Sequence, residues 1–293
     1  MKVYTLIITY HPNMSVLCNT VASLEKQIDG ICIIDNGGLI EEELPNLACD
    51  LLIKHLDSNQ GIAKATNIGF DLLSGKSVDF ILLSDQDTLF PCDYIKTFLN
   101  YIEVNDVGSV LAFCPIVYDT HSAEYKPIYI KKNGFIRKML ASENPSFVFQ
   151  TIASGLIIDT SKYKETGGMN EDLFIDYVDF EWCWRLNKAG FKVLCLPQLK
   201  IFHCLGDDAV SIMSKRVSRH TPTRNYYITR NTSYLSLHCK YLPLSIRVQL
   251  FFKACMYPIG YTLLCKPRII NAAYTIKGMV DGICGKLGKI SEM

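Results

Sequence analysis

The chain has 293 residues and a formal net charge of +1, from 30 basic and 29 acidic side chains, yet that balance hides a split. Residues 1–208 hold 17 basic and 27 acidic side chains, whereas residues 209–280 hold 11 basic ones and no Asp or Glu. A hydrophobic share of 49% with 20% charged residues excludes a disordered chain, and no 18-residue uncharged apolar run exists to make a simple membrane span.

The length suits one large α/β domain, alone or with an appendage. The charge asymmetry points to a polyanion or a membrane surface. The opening Met1–Tyr10 is apolar, has one basic residue and no small-residue cleavage site, and so reads as a buried first strand rather than a signal peptide. The closest two of the 12 cysteines, Cys195 and Cys204, are nine apart, which argues against a zinc site and favours reduced, structural thiols in a cytosolic protein.

In chain order, Val3–Thr9 reads as a strand and Val16–Ile28 as a helix with Leu17, Val21, Leu24 and Ile28 on one face. Gly30–Ile34 and Leu51–His55 are strands, a helix runs from about Ile62 to Leu73, and Phe80–Leu83 is a fourth strand. This alternation predicts a mostly parallel sheet covered on both faces, with ligands at the carboxyl ends of its strands. Residues 119–150 read as a long loop or mobile insertion. Ile152–Ile158 and Val193–Phe202 read as further strands around a helix from about Asp179 to Ala189. Beyond residue 210 basic, aromatic and apolar residues intermingle.

Asp85-x-Asp87, directly after an apolar strand, can hold a hard divalent cation through oxygen ligands, although Asp-rich turns are common for conformational reasons alone. Small residues at 61, 63, 65 and 69 permit close approach of backbone or ligand to a helix start, or tight packing of that helix. Asp172, Asp176, Asp179 and Glu181 lie within ten positions, beside both tryptophans, Trp182 and Trp184. A carboxylate at a helix start against aromatic walls suits general-base work, and capping alone would explain one of these acids. His203 ends a strand, and Arg224 to Asn231 mixes cations with stacking rings.

The order of these features resembles that of the inverting family 2 glycosyltransferases with a GT-A fold, in particular rhamnosyltransferase-like members acting on bacterial cell-surface glycans. The resemblance covers about residues 3–235. It rests on Thr9-Tyr10, Ile34-Asp35-Asn36-Gly37, Asn59-x-Gly61-x-Ala63-x-Ala65-x-Asn67-x-Gly69 and Ser84-Asp85-Gln86-Asp87-Thr88. Ser154-Gly155, Gly167-Gly168-Met169, Val178-Asp179-x-Glu181-x-x-Trp184-Arg185, His203-x-x-Gly206 and Arg230-Asn231 complete it. It implies a Rossmann-like catalytic domain over residues 1–210 and a helical, membrane-associating region over 211–293.

By the same resemblance, Asp35 or Asn36 reads a pyrimidine ring with Thr9 and Tyr10 lining the pocket. Asn59, Gly61, Lys64, Asn67, Asp85, Arg224 and Arg230 complete the donor site. Asp87 and His203 hold Mg²⁺ or Mn²⁺, and Asp179 is the base, with Glu181 beside it. Ser154, Gly155, Asp176, Trp182 and Trp184 face the acceptor. Val178 stands where the family usually has an acid, and Glu181 where Asp is commoner.

The implied partners are a nucleoside diphosphate sugar, dTDP-rhamnose first and a UDP-hexose second, and an undecaprenyl-diphosphate-linked saccharide. Leu242–Cys265, apolar with Arg247 and Lys253 set within it, predicts helices lying in an anionic bilayer interface, which the resemblance implies is the cytoplasmic face of the inner membrane. A homo-oligomer interface is the alternative use of those helices, and nucleic acid is not among the expected partners. A nucleotidyltransferase-type enzyme and a non-catalytic membrane scaffold are the competing functional classes.

Overall fold

The computed structural model describes residues 1–120, 123–203, 207–212 and 215–290; at Lys164, His203, 207–212 and 215–219 it describes the backbone alone. The chain runs β1 (Val3–Thr9), α1 (Met14–Leu24), β2 (Gly30–Asp35), β3 (Asp50–His55), α2 (Ile62–Ser74) and β4 (Phe80–Ser84). It continues with β5 (Thr88–Leu89), α3 (Tyr94–Val104), β6 (Val110–Asp119), β7 (Glu124–Tyr125), β8 (Ile128–Lys132), β9 (Phe135–Met139) and β10 (Ser146–Val148). Then come β11 (Ile157–Asp159), α4 (Thr160–Tyr163), α5 (Val178–Ala189), β12 (Lys192–His203), β13 (Asp207–Ile212) and β14 (Lys215–Arg219). Three helices follow: α6 (Pro222–His238), α7 (Leu244–Leu264) and α8 (Arg268–Ile283).

The main sheet has the order β10-β12-β6-β11-β4-β1-β2-β3. β4, β1, β2 and β3 are parallel to one another, as are β6 and β12, with β11 antiparallel between the two blocks. Alternating side chains bury both faces. Tyr4, Leu6 and Ile34 join the layer of α2 and α5, while Val3, Ile7, Ile31 and Ile33 join that of α1 and α3. Near-continuous apolar strands are what such two-sided burial requires. Thr9 pairs with Asp35 and Ile7 with Ser84, so β1, β2 and β4 deliver Tyr10, Asn36 and Asp85 to one edge of the sheet.

Two expectations are corrected. Residues 119–150 are not one long loop: β8 and β9 form a hairpin that docks on α7, where Gln249 Oε1 accepts from the Ile136 N–H at 3.0 Å and Gln249 Nε2 donates to its carbonyl at 3.0 Å. The strand expected over 152–158 is only Ile157–Asp159, because Ala153–Leu156 turns instead, with the Leu156 N–H donating to Ala153 O at 3.0 Å.

Among the described residues no helix is long and apolar enough to cross a membrane. Helices α6, α7 and α8 pack on one another. Gly282 of α8 lies against the Arg230 carbonyl of α6, leaving no room there for a side chain.

Candidate active site

β4 ends at Ser84, and its hydroxyl donates to the Asp85 carbonyl at 2.8 Å to begin the turn. Gln86, which sequence reasoning passed over, ties this turn to the end of β1. Its side chain accepts from the Tyr10 N–H at 2.9 Å, and its carbonyl accepts from the Thr20 hydroxyl at 3.2 Å. Thr88 then opens β5, whose antiparallel register sets the His203 backbone opposite Thr88, one residue from Asp87. The side chain of His203 lies outside the described residues. Asp85 lines a cavity of about 20 Å³ with Ile8, Thr66, Ser84 and Ala153. Two carboxylates on one short turn are the hard oxygen donors that Mg²⁺ or Mn²⁺ takes, so the residue chemistry fits such an ion. Among the described residues no ready cluster of three or more His, Cys, Asp or Glu ligands stands there.

Across this turn, α5 begins with Val178 and carries Asp179 in its first turn. Asp179 Oδ2 accepts from the Ala153 N–H at 3.2 Å and Oδ1 from the Phe180 N–H at 2.8 Å. Burial pushes its pKa up to about 7, opposed by the Phe180 amide and reinforced by the negative charges of Asp176 and Asp85. A carboxyl titrating near neutral pH has both the basicity and the available ionised form that general-base catalysis needs. Asp176 stands at the loop just before α5 and is held by Arg224, whose Nε and Nη2 reach Oδ1 at 3.2 Å.

The sequence profile described as "Glycosyl transferase family 2" matches residues 5–157, which carry β1, β2, β4 and the Asp85–Asp87 turn. The chain belongs to glycosyl transferase family 2. The dTDP-rhamnosyl transferase RfbF of Shigella flexneri is 31% identical over 292 residues, covering 98% of this chain and 97% of that protein. Solved structures support the GT-A fold. S. aureus TarS 1-349 in complex with UDP-GlcNAc aligns over 97% of this chain and 82% of its own at 13% identity, TM-score 0.56. GalNAc-T7 with UDP, GalNAc and Mn²⁺ aligns over 91% of this chain at 13% identity, TM-score 0.55, and this chain spans 58% of it.

Within this family 2 glycosyltransferase, several residues expected at the site are committed to holding it together. Glu181 is buried; its two oxygens accept from Arg185 at 3.0 and 3.1 Å, and Tyr241 donates to Oε1 at 2.7 Å. That corrects its placement as a second catalytic acid: Glu181 fixes Arg185, which in turn holds the carbonyls of Thr166 and Gly168. Glu181→Ala should therefore cost about 3 kcal/mol of unfolding free energy in urea titration, the scale for breaking one side of a buried ion pair. Glu181→Gln, which keeps one acceptor and the shape, should lose less stability and retain most transfer.

Trp182 and Trp184, expected at the acceptor, are core residues with 0% and 1% exposure, their indole N–H groups donating to Thr166 and Gln150. Ser154 and Gly155 are also interior: the Ser154 hydroxyl meets Thr88 at 2.6 Å, and the Gly155 carbonyl accepts from Tyr94 at 2.6 Å. Arg230 is fully buried and directs its guanidinium to Asn231 and to the carbonyls of Asp172, Leu173 and Gly288, so it does not reach a donor phosphate.

The Asn59–Asn67 segment serves mainly as a docking surface for the chain before α5. Gly61 has φ +83° and a side chain there would strike Phe174 at 2.6 Å. The amide of Ile62, at the start of α2, donates to the Phe174 carbonyl at 2.8 Å, so the close approach that these small residues permit is that of backbone. Asn59 accepts from the Gly61 N–H, and Asn67 exchanges hydrogen bonds with the Met169 backbone. Lys64 is exposed.

Thr9, Asp35 and Asn36 are buried at the end of the sheet. Asp35 accepts from Thr9 and the Gly37 N–H at 2.9 Å and meets His55 Nδ1 at 2.9 Å. Burial raises its pKa, but these hydrogen bonds outweigh it and hold the carboxyl below the usual range. Tyr10 is half exposed beside them.

Proposed function

We propose that this glycosyltransferase moves L-rhamnose from dTDP-rhamnose, with inversion, onto a lipid-diphosphate-linked saccharide during synthesis of a bacterial surface polysaccharide such as O-antigen. The observation that carries the reaction type is Asp179, a carboxyl with pKa about 7 beside the Asp85–Asp87 turn. Near-full-length identity to a dTDP-rhamnosyl transferase supports the sugar and nucleotide. A UDP-hexose donor is the second reading, favoured by the likeness to a protein crystallised with UDP-GlcNAc.

The donor base lies in the Thr9, Tyr10, Asp35 and Asn36 corner, with Asp85 toward the ribose or sugar and Arg224 toward the diphosphate. Asp87, with His203 beside it in the strand register, would hold Mg²⁺ or Mn²⁺. When bound, that ion supplies positive charge against the departing diphosphate. Asp179 accepts the proton of the acceptor hydroxyl as its oxygen bonds to the anomeric carbon, and the C1–O bond breaks with the electron pair leaving on the nucleoside diphosphate. Asp176, oriented by Arg224, borders the acceptor side. Residues 1–210 form the catalytic domain and 211–293 a region that keeps the enzyme peripheral on the cytoplasmic face of the inner membrane, where the lipid acceptor resides.

A thermal-shift comparison of dTDP, UDP and GDP, each with and without Mn²⁺ or Mg²⁺, tests this reading. dTDP with the cation should give the largest rise, and Asp87→Ala should remove the cation-dependent part. Equal shifts for GDP, or a dTDP shift indifferent to the cation, would overturn the donor assignment.

A further inference from the structure

Helices α7 and α8 turn apolar faces outward, α7 while also burying Ile246, Leu250 and Ala254 on its inner side. On α7 the exposed residues are Leu244, Val248, Phe251, Phe252, Met256, Ile259 and Leu263. They recur every three or four positions, so they form one stripe about 28 Å long. Its charged residues turn the other way: Arg247 donates to the Ser236 and Leu237 carbonyls at 2.9 and 2.7 Å, and Lys253 is half-buried. Helix α8 is inside out, with Ile269, Ile270, Ile276, Val280 and Ile283 exposed while Asn271, Thr275 and Asp281 are buried. The inner contacts of α8 with α6 are polar: Asn225 Nδ2 donates to Asn271 Oδ1 at 2.8 Å, and Tyr226 donates to Asp281 at 2.9 Å. A helix facing water has the opposite distribution, and an exposed apolar surface of this extent marks a contact site.

Charge identifies the occupant. Lys240 precedes α7, Lys266 and Arg268 sit at the corner between the helices, and Lys286 and Lys289 follow α8, all exposed. Between residues 222 and 290 the sole acid is Asp281, and it is already held by Lys277 at 2.6 Å. A second copy docking symmetrically on this face would set cations against cations with no acid to answer them. An anionic bilayer answers both the apolar stripes and the charged ends.

We propose that the outward faces of α7 and α8 seat together in the headgroup–acyl boundary of an anionic bilayer, lying in its plane. This extends the membrane-bound acceptor reading above by naming the face that touches lipid.

The test is flotation of the full chain with vesicles of phosphatidylglycerol and phosphatidylethanolamine, against phosphatidylcholine alone. Binding should be strong only to the anionic vesicles and should weaken in high salt. Phe252→Ser combined with Ile259→Ser should lower the bound-to-free ratio about tenfold or more, and Lys266→Glu with Arg268→Glu by a similar factor. These surface variants should keep the cation-dependent dTDP shift. Unchanged flotation in both variants would overturn the proposal. So would a lipid-indifferent dimer that the Phe252→Ser, Ile259→Ser protein fails to form. Lost flotation with an intact dTDP response in the wild-type chain would remove the lipid seat and leave the sugar-transfer reading standing; intact flotation without a dTDP response would do the reverse.

Discussion

Asp179→Asn is expected to lower turnover about 10²- to 10⁴-fold, the usual worth of a positioned general base, while the dTDP thermal shift persists. The wild-type rate should climb as pH rises through about 7, because only the ionised carboxylate accepts a proton, and the residual rate of Asp179→Asn should lack that limb. Stability should move the other way. The carboxyl titrates near 4 in the unfolded chain and at about 7 in the folded one, so the native state holds the proton more tightly between those values. The associated stabilisation is complete at low pH and is lost as pH rises through about 7. The substituted amide never ionises, so Asp179→Asn should melt several degrees higher than wild type at pH 8 and about equally at pH 4. Near-normal transfer by Asp179→Asn, or a melting temperature no higher at pH 8, would move the role to Asp176.

The second large effect is expected at Asn231. The chain entering α5 holds Phe174, Asp176 and Tyr177 at φ of 63°, 63° and 64°. Such positions in non-glycine residues cost on the order of 1–3 kcal/mol each and persist only where surroundings enforce them. Asn231 supplies the enforcement, its Nδ2 donating to the carbonyls of Leu173, Ile175 and Asp176 at 3.0, 2.8 and 2.8 Å. Arg230 adds a bond to the Leu173 carbonyl at 2.8 Å while lying 4.8 Å from the Tyr227 ring centre. Asn231→Ala should cost about 1–3 kcal/mol of stability through unpaired buried carbonyls. It should also reduce kcat at least tenfold with donor affinity nearly unchanged, since the Asp85–Asp87 turn is built separately. Amide hydrogen exchange should rise across 173–178. A stability loss without a change in kcat, measured well below the melting temperature, would make Asn231 a support for the fold alone.

The parallel half of the sheet was readable because strands buried on both faces, such as Gly30–Asp35, carry uninterrupted apolar runs. The Asp85–Asp87 turn was readable for the related reason that the run stops there. What local pattern could not tell was which way a side chain faces. Trp182 and Trp184 have the same residue type whether an indole stacks on a sugar or fills a core while donating to Thr166 or Gln150. Arg230 sits in a basic stretch, and its use as a buried clamp depends on carbonyls more than fifty residues away. The apolar character of Leu242–Cys265 was plain, but which of its apolar residues are buried, as Ile246 and Leu250 are, and which stay outside, as Phe252 and Ile259 do, is a tertiary fact. The hairpin within 119–150 was hidden because its strands are short and half exposed, so they lack a sustained apolar signal.

The tie between Arg230 and the Gly288 carbonyl, with the Gly288 N–H donating to Asp172 at 2.8 Å, also sets a timetable. The segment that aims Asp179 can take its final shape only after residue 288 has left the ribosome and α6, α7 and α8 have assembled around Arg230 and Asn231. The nascent chain can thus begin its sheet early, whereas the loop before α5 is fixed only once residue 288 is there for Arg230 to hold.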